Sequence, residues 1–285
     1  MRVNPLDTTD FTPGRPVELA PGIRRLVADN AGMMTGPGTN TYLIGRDRVV
    51  VVDPGPALPG RVETIERALA GTPVDAVVVT HTHNDHSPAA APLAARLGVP
   101  LLGRLPGDRL YQDASFQPTR SVEEGDEVPT DVGALRAVTT PGHASNHVCW
   151  YLPALGYLCT GDHVLGTVSP VIVHPDGDLT AYLQSLAKVK ALRPTALLPG
   201  HGPVVTDPDA VIDRLVKHRL LRETRVLAAL QGQGCRLLAD FLPQVYADVP
   251  PALHAMARHT LLAHLFKLAR EGRVEQCGED AWRLL

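Results

Sequence analysis

The segment Thr80-His81-Thr82-His83-Asn84-Asp85-His86-Ser87 constrains this chain more than any other, because it brings three imidazoles and a carboxylate into one short run. Just upstream lies Val74-Asp75-Ala76-Val77-Val78-Val79, a β-branched stretch that reads as a strand buried on both faces. Downstream, Pro88 to Leu97 reads as a helix with Ser87 as N-cap and Pro88 at its first position. The cluster is therefore expected in a loop at the carboxyl end of a buried strand, where α/β architectures place their sites. Side chains alternate in extended backbone, so His81 and His83 point to one side and can grip one ion together. Asp85 and His86 come after the chain has begun to turn and aim at a second point nearby. Imidazole and carboxylate suit zinc or a similar first-row ion, and each ion needs further ligands from elsewhere in the fold.

Further candidates follow in chain order, each after a strand-like run. Thr140-Pro141-Gly142-His143 follows Ala134 to Val138, Thr160-Gly161-Asp162-His163 follows the hairpin strand Gly156 to Cys159, and Pro199-Gly200-His201-Gly202 follows Thr195 to Leu198. In this order and at this spacing, the set HxHxDH, PGH, GD and GHG resembles the metallo-β-lactamase superfamily over roughly residues 15–207. That resemblance implies an αβ/βα sandwich holding two divalent metal ions, Zn²⁺ foremost, with Fe and Mn also compatible. It implies His81, His83 and His143 on one ion, Asp85, His86 and His201 on the other, and Asp162 bridging. Asp53, in Val49-Val50-Val51-Val52-Asp53-Pro54-Gly55, matches the superfamily's aspartate after an early strand and is expected to hold a ligand imidazole in its tautomer. His147 and His163 read as supporting or structural residues, and His174 as a loop histidine.

The implied chemistry is hydrolysis by a hydroxide shared between the ions, available because metal charge lowers the pKa of water from 15.7 to about 7. Asp85 is the expected catalytic residue, binding one ion while orienting the nucleophile. No Ser or Cys nucleophile is required.

The 285-residue length suits one large domain and a smaller one. The composition shifts after Thr206, dividing the chain into a catalytic domain over 1–207 and a linking helix with a winged-helix-like domain over 208–285. Residues 16–53 alternate as a β-meander, and a helix is expected from Arg61 to Ala70. Gly36 to Tyr42 is a tight loop running into a strand; Asn40 and Tyr42 there read equally as cleft residues or as plain turn chemistry. Gly107 to Gln117 reads as a short helix or a loop over the cleft. Asp178 is the N-cap of a helix from Leu179 to Leu192. The tail reads as helices Ala210 to Leu230, Arg236 to Tyr246 and Ala252 to Arg270, the last two separated at Pro250-Pro251, followed by a hairpin of Val274 to Gln276 and Ala281 to Leu284.

Residues 1–207 carry 16 Lys and Arg against 21 Asp and Glu, a net −5; residues 208–285 carry 11 against 9, a net +2. This balance marks neither a nucleic-acid nor a membrane surface protein. Lys217, His218, Arg219, Arg222 and Arg225 cluster on the linking helix, where a solvated face is a somewhat better account than a phosphate-binding track. Met1 to Arg15 resembles no secretory signal, and no run approaches membrane-spanning length. Four cysteines without metal-type spacing suggest free thiols in a reducing cytoplasm, although Cys149 and Cys159 fall on neighbouring strands and could lie close.

A narrower resemblance lies in the tail. His218-Arg219-Leu220-Leu221-Arg222-Glu223 and His254-Ala255-Met256-Ala257-Arg258-His259-Thr260-Leu261-Leu262-Ala263-His264-Leu265 look like the carboxyl-terminal domain of the lactamase-beta-like protein 2 family. Its best-known animal member is a mitochondrial endoribonuclease acting on single-stranded RNA. Ser87-Pro88-Ala89 departs from that family's Ser-Gly-Gly, so the cleft floor is expected to differ. Two activities follow as expectations: a phosphodiesterase cutting single-stranded RNA, or a glyoxalase II-like hydrolase of a small thioester, ester or lactone. A β-lactamase fits less well without an export signal, and a DNA-binding ligand sensor less well with intact metal motifs. The expected partner is a small-molecule substrate or single-stranded RNA, with no membrane; a homodimer is compatible with the sequence.

Overall fold

The structure is a computed structural model that describes residues 10–285; the first nine residues of the expected leader-free terminus lie outside the described residues. Two sheets form the larger part. The first holds β1 (Pro16–Ala20), β2 (Ile23–Val27), β3 (Asn40–Ile44), β4 (Val49–Val52), β5 (Val74–Val78), β6 (Leu101–Gly103) and β7 (Arg120–Ser121), paired in chain order. The second holds β8 (Glu127–Val128), β9 (Leu135–Thr139), β10 (Val148–Leu152), β11 (Tyr157–Gly161) and β12 (Ala196–Pro199), again neighbour to neighbour. Helices α1 (Arg61–Leu69) and α2 (Ala90–Leu97) cover the first sheet, and α3 (Leu179–Ala191) and α4 (Pro208–Leu230) the second.

The four valines of β4 explain why a near-continuous apolar run is needed here. Val50 and Val52 enter the core between the sheets, while Val49 and Val51 enter the core under α1 and α2. A strand with helices on one face and a sheet on the other must be apolar on both. The two sheets are also joined beside the carboxyl end of β5: Trp150 donates its indole N–H to the Val79 carbonyl at 3.1 Å, and the Val148 amide donates to Thr80 at 2.7 Å.

Alternation separates the two free cysteines. Cys149 faces the core under α3 and Cys159 the core between the sheets, so adjacent strands do not make them a pair. The other two depart from the free-thiol expectation, because Cys235 and Cys277 form a disulfide. It ties the segment after α4 to one arm of the terminal hairpin, a proximity that a separation of 42 residues conceals.

The carboxyl-terminal part has α4, then β13 (Arg236–Leu237), α5 (Leu238–Val245), a 3₁₀ turn at Pro251–Leu253, α6 (His254–Arg270), β14 (Val274–Gly278) and β15 (Ala281–Leu284). The expected hairpin is present, with β13 as a third strand on β15. Arg236 and Leu237 are therefore strand rather than the start of a helix. Another difference lies beside the metal motif: α2 begins at Ala90, and Ser87 does not cap it. The Ser87 hydroxyl donates instead to Asp113 at 2.8 Å, drawing it away from the helix end. No helix among the described residues is long and apolar enough to cross a membrane.

Candidate metal centre

The strand ends converge as the motif spacing predicts. Beyond β5, the chain leaves the sheet and turns at His83–His86, where the His86 amide donates to the His83 carbonyl at 3.0 Å. Three groups of side chains then offer ligand atoms within 4.8 Å of one another: His81, His83 and His143; His81, His86 and Asp162; and Asp85, His86 and His201. All seven residues expected around the ions are thus brought together. Asp162 faces both sides, with Oδ2 at 3.6 Å from His143 Nε2 and Oδ1 at 3.4 Å from both His86 Nε2 and His201 Nε2. Gly200 permits this approach, since a Cβ there would lie 2.6 Å from the His86 ring and 2.7 Å from Asp162 Oδ1.

The outer nitrogens are fixed. His86 Nδ1 donates to Asp53 at 2.9 Å, His143 Nδ1 to the Val171 carbonyl at 2.7 Å, and His201 Nδ1 to the Gly38 carbonyl at 3.2 Å. Thr80 donates its hydroxyl to Asp53 at 2.7 Å and accepts from His81 Nδ1 at 3.0 Å. With those protons pointing outward, the inner nitrogens of His81, His86 and His201 are left buried without a hydrogen-bond partner, as is Asp162 Oδ1. Buried polar atoms are rarely orphaned unless something absent from the protein satisfies them. The donor set of imidazole and carboxylate, with ring tautomers set from outside, fits divalent metal ions.

The two sides of the cluster differ electrically. Burial and neighbouring imidazoles push His81 well below its ordinary pKa, and burial with His143 pushes His83 down to about 3. Burial likewise lowers His143. On the other side burial opposes protonation but loses. Asp85 and Asp162 hold His86 well above the ordinary histidine range, and Asp162 with Asp85 holds His201 up at about 9. Asp85 itself is held down at about 2 by His86 and His201 despite its burial.

The supporting residues resolve several open expectations. Asp53 sits on His86 and also accepts the Thr80 amide at 2.6 Å, so it is more than a turn aspartate. Asn40 and Tyr42 are buried and hold the His201 turn: Asn40 Nδ2 donates to Pro199 and Gly202, both at 2.9 Å, and Tyr42 donates to Pro199 at 2.7 Å. His147 lies against His81, rings 5.1 Å apart, and His163 against Tyr182, also 5.1 Å. His174 stacks on Phe266 at 4.0 Å, outside the cluster. Ser87, Pro88 and Ala89 do not line the cavity above the cluster.

Gly107 to Gln117 is a loop, and sequence reading missed what it does. Gln112 bridges the His83 backbone, accepts from the Thr82 hydroxyl at 2.6 Å and donates to Asp176 at 3.0 Å. Asp176 in turn accepts from the Ser145 amide, two residues beyond His143, at 3.0 Å. The loop thereby braces two ligand-bearing turns against each other. Nothing in the local sequence around Asp176 announces this.

Residues 34–201 match the metallo-beta-lactamase superfamily, and residues 238–282 the beta-lactamase associated winged helix domain. The chain is 31% identical to a beta-lactamase-like protein 2 homolog of Caenorhabditis elegans, over 91% of this chain and 88% of that protein. It is 30% identical to an atrochrysone carboxyl ACP thioesterase of Aspergillus chevalieri, over 93% and 87% respectively. Among solved structures, a beta-lactamase domain protein from Burkholderia ambifaria superposes with a TM-score of 0.84 at 25% identity, covering 97% of this chain and 96% of that one. Fold, associated winged helix and relatives agree: the chain belongs to the metallo-beta-lactamase superfamily of metal-dependent hydrolases.

Proposed function

We propose that this protein is a dinuclear metallohydrolase that cleaves an acyl bond, a thioester or ester. His81, His83 and His143 would hold one ion, Asp85, His86 and His201 the second, and Asp162 would reach both. When bound, such ions supply a water that ionises near neutral pH and draw charge from the substrate oxygen. The protein's own residues do the rest. Asp53 and Thr80 set the tautomers of His86 and His81, and Asp85, the more exposed carboxylate of the pair with Asp162, accepts a hydrogen bond from the attacking water.

The character of the cleft carries the choice of an acyl bond over a phosphodiester. A cavity of ≈ 280 Å³ opens on His143 and Asp162, and no Lys or Arg lines it. Polyanion binders gain affinity through cations placed along the strand. Here Arg219 and Arg222 of the linking helix are buried, Arg219 donating to the Pro170 carbonyl and Arg222 to Val245 and Asp248. They are neither the solvated face expected of them nor a phosphate track. A relative named as a thioesterase at 30% identity supports the same bond class.

The test uses metal-loaded full-length protein with N-acetylcysteamine thioesters and, in parallel, a labelled single-stranded RNA. Thioester hydrolysis is expected, with kcat/KM falling about 10²–10⁴-fold in Asp85→Ala. RNA cut by the wild type and not by Asp85→Ala, with the thioesters intact, would replace this reading by the endoribonuclease one.

A further inference from the structure

The winged helix is docked with its third helix, α6, against the larger domain and not free to enter a duplex groove. Helix-turn-helix readers lay their recognition helix free in the major groove. In this chain α6, the helix such a module would offer, is pressed against the larger domain. Ala263 joins the core formed with α3 and α4, Phe266 stacks on His174 at 4.0 Å, and Arg270 pairs at 2.6 Å with Asp178, the residue that caps α3. A helix pinned at three successive turns cannot enter a groove without undocking.

Its amino-terminal end does something else. Leu253 and Met256 line the cavity above the metal centre. Across from them, Met33 and Met34 stand at the tip of a turn closed by the Gly32 amide on the Gly36 carbonyl at 3.0 Å. These two methionines are 81% and 52% exposed, which leaves apolar surface in water beside a site that opens on His143 and Asp162. Methionine is unbranched and adaptable, suited to a ligand-facing wall. Apart from Asp162 at the floor, no carboxylate or cationic side chain lines the cavity.

We propose that the winged helix is the acyl-selecting wall of the active-site cleft, with Leu253 and Met256 closing against Met33 and Met34 on an uncharged, apolar acyl group whose carbonyl lies over His143 and Asp162. This rests on the acyl-hydrolase reading above and names its substrate class. The cavity of ≈ 280 Å³ has room for several methylenes of an acyl chain. The overall step adds water across the thioester. The carbonyl carbon gains a C–O bond and loses its C–S bond; one proton of the water goes to the sulfur, which leaves as a thiol, and the other is released to solvent as the acyl group leaves as a carboxylate.

The experiment measures kcat/KM for acetyl, butyryl, octanoyl and dodecanoyl thioesters of N-acetylcysteamine. The proteins are the metal-loaded wild type, Met256→Trp and Leu253→Trp. Calorimetric binding of octanoate and of acetate to the same three proteins runs beside it. The wild type is expected to gain up to about fourfold per methylene until the cavity fills. The octanoyl-to-acetyl ratio is expected to fall at least tenfold in either Trp variant, and octanoate is expected to bind the wild type tighter than acetate and the variants more weakly. A flat chain-length profile and equal affinities, unmoved by either substitution, overturn the wall. Octanoate binding that both variants weaken, with no thioester turned over, upholds the wall and overturns the bond assignment instead.

Discussion

Among the described residues, two buried clusters of ionisable groups are built on opposite principles. Around Asp162, the inner nitrogens of His81, His86 and His201 and Asp162 Oδ1 converge without a hydrogen bond, and His86 and His201 face the carboxylates of Asp85 and Asp162 only at 3.2–3.7 Å. Around Glu223, at the junction of α4 and α6, charges are paired within the chain. Glu223 takes the Lys267 ammonium at 2.6 Å and the Arg273 guanidinium at 3.1 Å, and Arg222 pairs with Asp248 at 2.7 Å. Burying a charge is costly unless it is paired, so each arrangement implies what completes it. The second cluster completes itself and fastens the winged helix; the first offers a donor set that fits a cation. Substitutions should therefore separate: function without fold at the first, fold before function at the second.

The largest expected effect is at the junction. Glu223→Ala removes the common partner of Lys267 and Arg273 and leaves the Lys267 ammonium, 9% exposed, with only Glu271 at 2.7 Å. Breaking a buried pair from one side costs about 3–5 kcal/mol, with Glu271 placing this case toward the lower end. Urea unfolding of wild type and variant reads it. A loss below about 1 kcal/mol would mean that the junction is held by its apolar contacts and that the contrast between the clusters fails on the structural side.

Next comes the Asp53 carboxylate, which sits behind the metal centre rather than within it. Asp53→Asn keeps the shape but weakens the acceptor for His86 Nδ1 and the Thr80 hydroxyl. Replacing such a supporting group lowers metal affinity about 10–100-fold, measurable by competition with a chromophoric chelator. The apo protein should unfold at nearly the same urea concentration. Unchanged metal affinity with lost stability would show that the first cluster also serves the fold.

This contrast explains what could be read from the chain. The candidate ligands could be named because their motifs resemble those of a known superfamily and sit at strand ends, where a period of two and a turn fix direction locally; their division between two ions came from that resemblance and not from spacing. Gln112 and Asp176 could not be singled out, since their work is to join segments 64 residues apart. Arg219 and Arg222 were misread because, along α4 alone, their spacing resembles a solvated face. They are buried only once α5, α6 and the Pro170 loop close around them. Cys235 and Cys277 failed for the same reason, their pairing being a property of the hairpin's fold and not of their spacing. Ser87 shows the reverse error, a sound local capping signal overridden by a distant acceptor, Asp113.

The smallest expected effect tests whether the junction depends on pH. His264 of α6 is fully buried with both ring nitrogens unpartnered. Burial, then Arg219, Lys267 and Arg222, press its pKa well below the ordinary histidine value. His218 on α4 adds to the same pressure. The folded protein therefore keeps His264 neutral, while the unfolded chain protonates it below a pKa of about 6.5. More protons bound in the unfolded state mean that stability rises with pH. The contribution is complete above about pH 6.5 and is lost as pH falls through that value, at up to about 1.4 kcal/mol per unit from this one group. His264→Leu should remove that share of the slope between pH 6.5 and 5, leaving the part due to the other buried histidines. Urea midpoints across that range, in the presence of a chelator so that metal release does not add its own slope, measure it directly. An unchanged slope would place the acid sensitivity at the metal-centre histidines, leaving the junction, charged as it is, indifferent to pH.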